Sequence, residues 1–149
     1  MREQLEISED AWGFDMDVEH HLALNVELHE FINACHKSWK YWKRKDMNMT
    51  DVLDEAVDVI HFCMLLLNKS PLGSVKISEY LKGELQALDP LEDRTDVKNT
   101  MFFMIGRSVT KKLCGVMQIL DYYGFTTLDI LTAYNKKNKV NFERLNNGY

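Results

Sequence analysis

The chain has little of what most specialised folds require. Only 2 prolines and 7 glycines in 149 residues leave scant material for the turns of an all-β domain. The 3 cysteines, Cys35, Cys63 and Cys114, are odd in number and far apart, which excludes a disulfide framework and a CxxC zinc site. The 5 histidines (His20, His21, His29, His36, His61) form no HExxH pair, because His29-Glu30 is followed by Asn33 at the second ligand position. No GxGxxG, Walker A loop or GxSxG elbow is present. No apolar run approaches the ~18 residues of a membrane span. The segment Met1–Asp10 is acidic and lacks the basic-then-apolar order of a secretory leader. A soluble, cytoplasmic protein with no membrane partner is expected.

What is present is a well-filled hydrophobic inventory. At 46% hydrophobic residues the chain is too apolar to stay disordered, and its length suits one domain, 1–149, with a real core. The net charge of -5 argues against a polynucleotide partner. That charge is unevenly spread. The first 20 residues hold seven acids (Glu3, Glu6, Glu9, Asp10, Asp15, Asp17, Glu19) against Arg2 alone. Basic clusters follow at Lys37, Lys40, Lys43, Arg44 and Lys45, and at Lys136, Lys137, Lys139 and Arg144.

Helical periodicity dominates. Leu24, Leu28, Phe31 and Cys35 fall at i, i+4, i+7, i+11 and predict a first helix from Asp17 to about Trp42. Thr50 or Asp51 is the expected cap of a second helix running to Asn68 and apolar on nearly every side, which Ser70-Pro71-Leu72-Gly73 ends. A short helix is expected at Ile77–Leu88 and a loop from Asp89 to Asp96. One helical pattern covers Thr100–Tyr123, closed by Gly124, and a last helix covers Thr127–Leu145 behind Thr126 or Thr127. The fold class is all-α, a single-domain bundle of four to six helices. The all-round apolar second helix suits a partner subunit, so a homodimer is expected.

Two acid pairs sit where a core would prefer none. Glu55 and Asp58 lie one turn apart beside Val59, Phe62 and Leu66, and Glu27 and Glu30 repeat the spacing at the edge of the Leu24–Phe31 stripe. Acids at this spacing are common on solvated faces, and acids near a helix start also suit its dipole. Two pairs on adjacent helices among apolar neighbours are different, because an unpaired buried carboxylate needs a basic partner, water or a metal. Four clustered oxygen ligands suit Mg²⁺ or Mn²⁺. The run Trp39-Lys40-Tyr41-Trp42-Lys43-Arg44-Lys45 interleaves aromatics with cations, fit either for a base and phosphate or for an amphipathic helix end. Together these features describe a mononucleotide polyphosphate site.

The order ExxE, a gap of 24 residues and ExxD, in Glu27-Leu28-His29-Glu30 and Glu55-Ala56-Val57-Asp58, resembles the all-α NTP pyrophosphohydrolases, which include MazG-like proteins and dimeric dUTPases. Three segments resemble the dimeric dUTPase branch: Leu22–Glu30 with Lys40-Tyr41-Trp42, Glu55–Phe62 with its His-Phe ending, and the tail Ala133–Arg144 ending Gly148-Tyr149. The resemblance covers about half the chain. It implies Mg²⁺, with Mn²⁺ as a substitute, held by Glu27, Glu30, Glu55 and Asp58, with Glu30 also acting on the attacking water. Lys137, Asn138 and Arg144 would contact phosphates with help from Lys40, and Trp42, His61 and Asn141 would lie near base or sugar. Leu145 departs from the branch, which commonly has Gln there, and the segment before Leu22 lacks the pattern associated with uracil recognition. The implied reaction is hydrolysis of dUTP to dUMP and pyrophosphate, with dUDP a second substrate, in a phage or bacterial setting. The alternatives are a MazG-like enzyme for another nucleotide such as dCTP, and a non-catalytic phage-type regulator that binds a repressor protein.

Overall fold

Apolar side chains spread all around the helix after Asn48 require a covering on more than one side, and the chain supplies it from its own helices. The structure, a computed structural model, describes residues 16–69 and 73–148. In chain order its helices are α1 (Asp17–Ala34), a 3₁₀ turn at His36–Ser38, α2 (Met49–Asn68), α3 (Ser74–Gln86), α4 (Arg94–Ile105), α5 (Val109–Tyr122) and α6 (Thr127–Asn146). No strand occurs among the described residues, and the six α-helices form one domain.

α2 is the axis of the bundle. It packs on α1, α3, α5 and α6, so the apolar surface that pointed to a partner subunit is covered within the chain. Leu28 and Phe31 of α1 are fully buried against Val52, Ala56, Val59 and Cys63 of α2 and Val116 and Ile119 of α5. Each such side chain contributes ~1.5–3 kcal/mol of burial. α4 folds back on α5 at a close approach, where a Cβ on Gly115 would stand 2.9 Å from the Met104 sulfur.

Boundaries differ from the sequence pattern at several places; α3 starts at Ser74 rather than Ile77, and α4 at Arg94, inside the expected Asp89–Asp96 loop. α1 stops at Ala34 rather than Trp42, although no glycine or proline interrupts the run. The chain is turned there by tertiary bonds: the Trp39 indole donates back to the Ile32 carbonyl at 2.7 Å, and Arg94 donates to the Ser38 carbonyl at 3.1 Å. The buried Ser38 hydroxyl also meets the Tyr123 hydroxyl. The pattern over Thr100–Tyr123 is two helices, because Gly106 and Ser108 supply a stop and a cap inside it, Ser108 Oγ accepting from the Lys111 N–H. The cap of α2 is Asn48, whose side chain accepts from the Thr50 N–H at 3.0 Å, just ahead of the expected cap at Thr50 or Asp51. The last helix begins as expected, with Thr126 and Asp129 forming a reciprocal capping box. Gly124 takes the left-handed conformation (φ 85°) just after α5. The acidic segment Met1–Asp10, most of the Ser70–Gly73 helix stop and the terminal Tyr149 fall outside the described residues.

Candidate functional site

The antiparallel pairing of α1 and α2 brings the two acid pairs to one place. One carboxylate oxygen from each of Glu27, Glu55 and Asp58 lies within 4.8 Å of the other two, and all three residues are half-buried. Glu30 is exposed and stands outside that trio, close enough to act on Glu27 and Glu55 through its charge. Burial, reinforced by Asp58, Glu30 and Glu55, pushes the Glu27 carboxyl up to about 7. Burial, then Glu30 and Asp58, raises Glu55 as well. Carboxyls that resist ionisation because they are buried and, secondly, crowd one another form a site short of positive charge.

A lysine among the described residues reaches the trio. Lys137 of α6 donates to Asp58 Oδ2 at 2.6 Å. Burial lowers the lysine pKa, but the hydrogen bond and charge of Asp58, with Asp54 and Glu55, outweigh it and hold the ammonium above its ordinary value. A single ammonium does not satisfy three carboxylates. The oxygen-only donor set and its excess of negative charge therefore fit a divalent cation of the Mg²⁺ type.

Two adjoining cavities open between α2 and α6. The first, of about 300 Å³, is lined by Glu27, Asp58, His61, Lys137, Asn141 and Arg144 among others. The second, of about 180 Å³, is more apolar and shares His61, Asn141 and Leu145 with the first. Asn138, Tyr134, Met64 and Asn68 complete it. The His61 and Tyr134 rings stand 6.2 Å apart, and burial holds the His61 imidazole below its ordinary pKa. His61 is thus a neutral donor–acceptor on the wall between an ionic chamber and an apolar one.

The residues singled out in sequence divide accordingly. Glu27, Asp58, His61, Lys137, Asn141 and Arg144 line the ionic cavity, and Asn138 lines its apolar neighbour. Lys40 and Trp42 line neither. The Lys40 ammonium donates to Asn33 Oδ1 at 3.0 Å and lies 4.7 Å from the Trp39 ring centre. Trp42 is exposed and meets Trp39 and Tyr41 edge-on. Met64, Leu65, Asn68 and Tyr134 were not singled out. The signal was available: Met64, Leu65 and Asn68 follow His61 by 3, 4 and 7 residues, and Asn138 and Asn141 follow Tyr134 by 4 and 7.

An all-helical protein with an acid cluster met by a lysine of α6 has the charge pattern that a metal-chelated phosphate ester requires. A sequence model of a family described as dUTPase matches residues 2–149, and the chain belongs to that family. It is accordingly an enzyme of the dUTP diphosphatase class, with a nucleotide as substrate. No curated protein and no solved structure matches the chain. Among the described residues no helix is long and apolar enough to cross a membrane.

Proposed function

We propose that this chain hydrolyses dUTP to dUMP and pyrophosphate in a Mg²⁺-dependent reaction, with Mn²⁺ as a substitute and dUDP as a second substrate. The observation that carries this reading is the meeting of Glu27, Glu55 and Asp58 within 4.8 Å beside an ionic and an apolar cavity. In this reading Glu27, Glu55 and Asp58 hold the cation with Glu30, which also orients the attacking water and takes its proton. Bound Mg²⁺ supplies charge screening on the phosphates and acidifies water. Lys137 exchanges Asp58 for a phosphate oxygen, and Asn138 and Arg144 bind the same chain of phosphates. The cavity formed by His61, Asn141 and Tyr134 holds the base and sugar away from water. Lys40 and Trp42 carry no role in this arrangement.

The step needs positioning more than covalent chemistry. The water oxygen bonds to the β-phosphorus, the α–β bridging oxygen departs with dUMP, and the released proton passes through Glu30 to solvent. The same chain pairs as a homodimer in this proposal. Val18, Leu22 and Val26 recur at i, i+4, i+8 along α1 and are 68%, 58% and 51% exposed, an apolar stripe separate from the buried Leu24–Leu28–Phe31 row.

A panel of deoxynucleotides with Mg²⁺, followed by release of the monophosphate, tests the substrate and the site together. dUTP is expected to turn over fastest. Glu55→Gln or Asp58→Asn should lower its turnover at least about a hundredfold, as loss of a transition-state charge contact does, with the helical circular-dichroism signal retained. Faster hydrolysis of dCTP would move the assignment to the MazG-like alternative. Unchanged turnover in either variant would sink the metal site.

A further inference from the structure

Glu27 and Asp58 line the ionic cavity together with Lys137, whereas Glu30 and Glu55 line a separate one of about 460 Å³ between the end of α1 and the start of α2. Asp58 is the acid on which α6 closes, through the 2.6 Å hydrogen bond from the Lys137 ammonium to its Oδ2. It is also one of the three carboxylates that meet within 4.8 Å. An ammonium and a divalent cation therefore compete for one side chain. A carboxylate that ligates a metal has less charge left for a lysine, and the two cations repel each other across a few ångströms.

A second carboxylate stands ready for the displaced lysine. Asp54 precedes Asp58 by four residues on α2, which sets both on one face and ~6 Å apart along the helix axis. Asp54 is exposed and forms no ion pair among the described residues. Its charge already acts on Lys137, second among the acids to that of Asp58. A lysine is a point charge on a flexible stem, so a move of this size needs side-chain rotation and no shift of α6.

We propose that Lys137 is a stand-in cation for the metal site and that Asp54 is the positioning residue that receives it. The ammonium neutralises Asp58 until a divalent cation takes that carboxylate, and then withdraws to Asp54. From there it turns to the phosphates when the nucleotide enters. This assignment rests on the metal site proposed above. It keeps α6, a helix with no fully buried residue, tied to α2 at each stage.

Calorimetric titration of the nucleotide-free protein with Mg²⁺ tests it. The Lys137–Asp58 side chains are 32% and 17% exposed, so the pair is partly screened by water. Lys137→Met keeps the apolar stem without the charge and should tighten Mg²⁺ binding about fivefold, equivalent to ~1 kcal/mol. A lysine that only supported the shape of the site would weaken binding when replaced. Lys136→Met, the same change at an exposed neighbour, should leave the affinity as it was and controls for overall charge. Asp54→Asn should weaken Mg²⁺ binding while Lys137 is present and lose that effect in the Lys137→Met background, with Asp54→Glu restoring the wild-type affinity. Unchanged or weaker binding in Lys137→Met, or an equal gain in Lys136→Met, overturns the stand-in. An Asp54→Asn effect that is absent, or that persists without Lys137, overturns the seat. If the wild type binds Mg²⁺ in either event, only the exchange fails. If it binds none, the metal reading of the site fails with it.

Discussion

Glu27 occupies a position where its charge is opposed by burial and by three neighbouring acids, so its pH behaviour reports what the site lacks. Its carboxyl titrates near 7 in the folded chain against 4.5 ordinarily, so the folded state holds a proton that the unfolded state has released. Stability from this group is fully present below the ordinary value and is lost as pH rises through about 7. Glu55 is shifted in the same direction and adds to the effect. A bound cation needs these carboxyls ionised. Mg²⁺ is therefore expected to raise the melting temperature more at pH 8 than at pH 6, as followed by differential scanning fluorimetry. An equal shift at both pH values would show that the cation does not compete with the Glu27 proton.

At the scale of the element, α6 is the piece that carries the proposed phosphate contacts, and none of it lies fully in the core. It packs chiefly on α2. Its start is held locally by the capping box: the Asp129 carboxylate accepts from the Thr126 N–H at 2.7 Å, and Thr126 Oγ1 accepts from the Asp129 N–H at 3.2 Å. Thr126→Ala removes one half of that exchange and should cost ~1 kcal/mol in urea unfolding. Because α6 carries Lys137 and Arg144, the same variant should raise KM for the nucleotide more than it lowers kcat. A change in stability with KM untouched would separate the cap from the site.

Much of the helical plan was legible at this scale. The extent of α2 and both the extent and cap of α6 could be read because apolar period and capping are local, and the stretch His36–Ser38 could not. Its turn is imposed by Arg94 and Tyr123, 56 and 85 residues away from Ser38. The break at Gly106–Ser108 was masked by Met101, Ile105, Val109 and Leu113, which keep a helical spacing straight across it.

For the molecule as a whole, the apolar content of the sequence goes to two uses. The all-round apolar α2 is consumed by the chain's own core, and the Val18–Leu22–Val26 stripe on α1 is left facing outward. If that stripe is the homodimer face, Leu22→Asp should convert a dimer of this 17.5 kDa chain to monomer in size-exclusion chromatography with light scattering. A wild type that runs as a monomer, or a variant that remains dimeric, would remove the stripe from the interface.

The sequence by itself determined the helical class, through a 3.6-residue period and a shortage of turn residues, and it determined that the acids come in pairs one turn apart. Both are local properties, fixed by chain geometry over a few residues. Tertiary structure decided which acids meet. Glu27 joins Glu55 and Asp58 within 4.8 Å while Glu30 turns toward a different chamber, and Lys137 closes on Asp58 across 79 residues of chain. Spacing along one helix sets the face on which a side chain lies, but only the packing of α1, α2 and α6 sets what that face meets. Each of two acid pairs that look alike in sequence is therefore divided between two cavities.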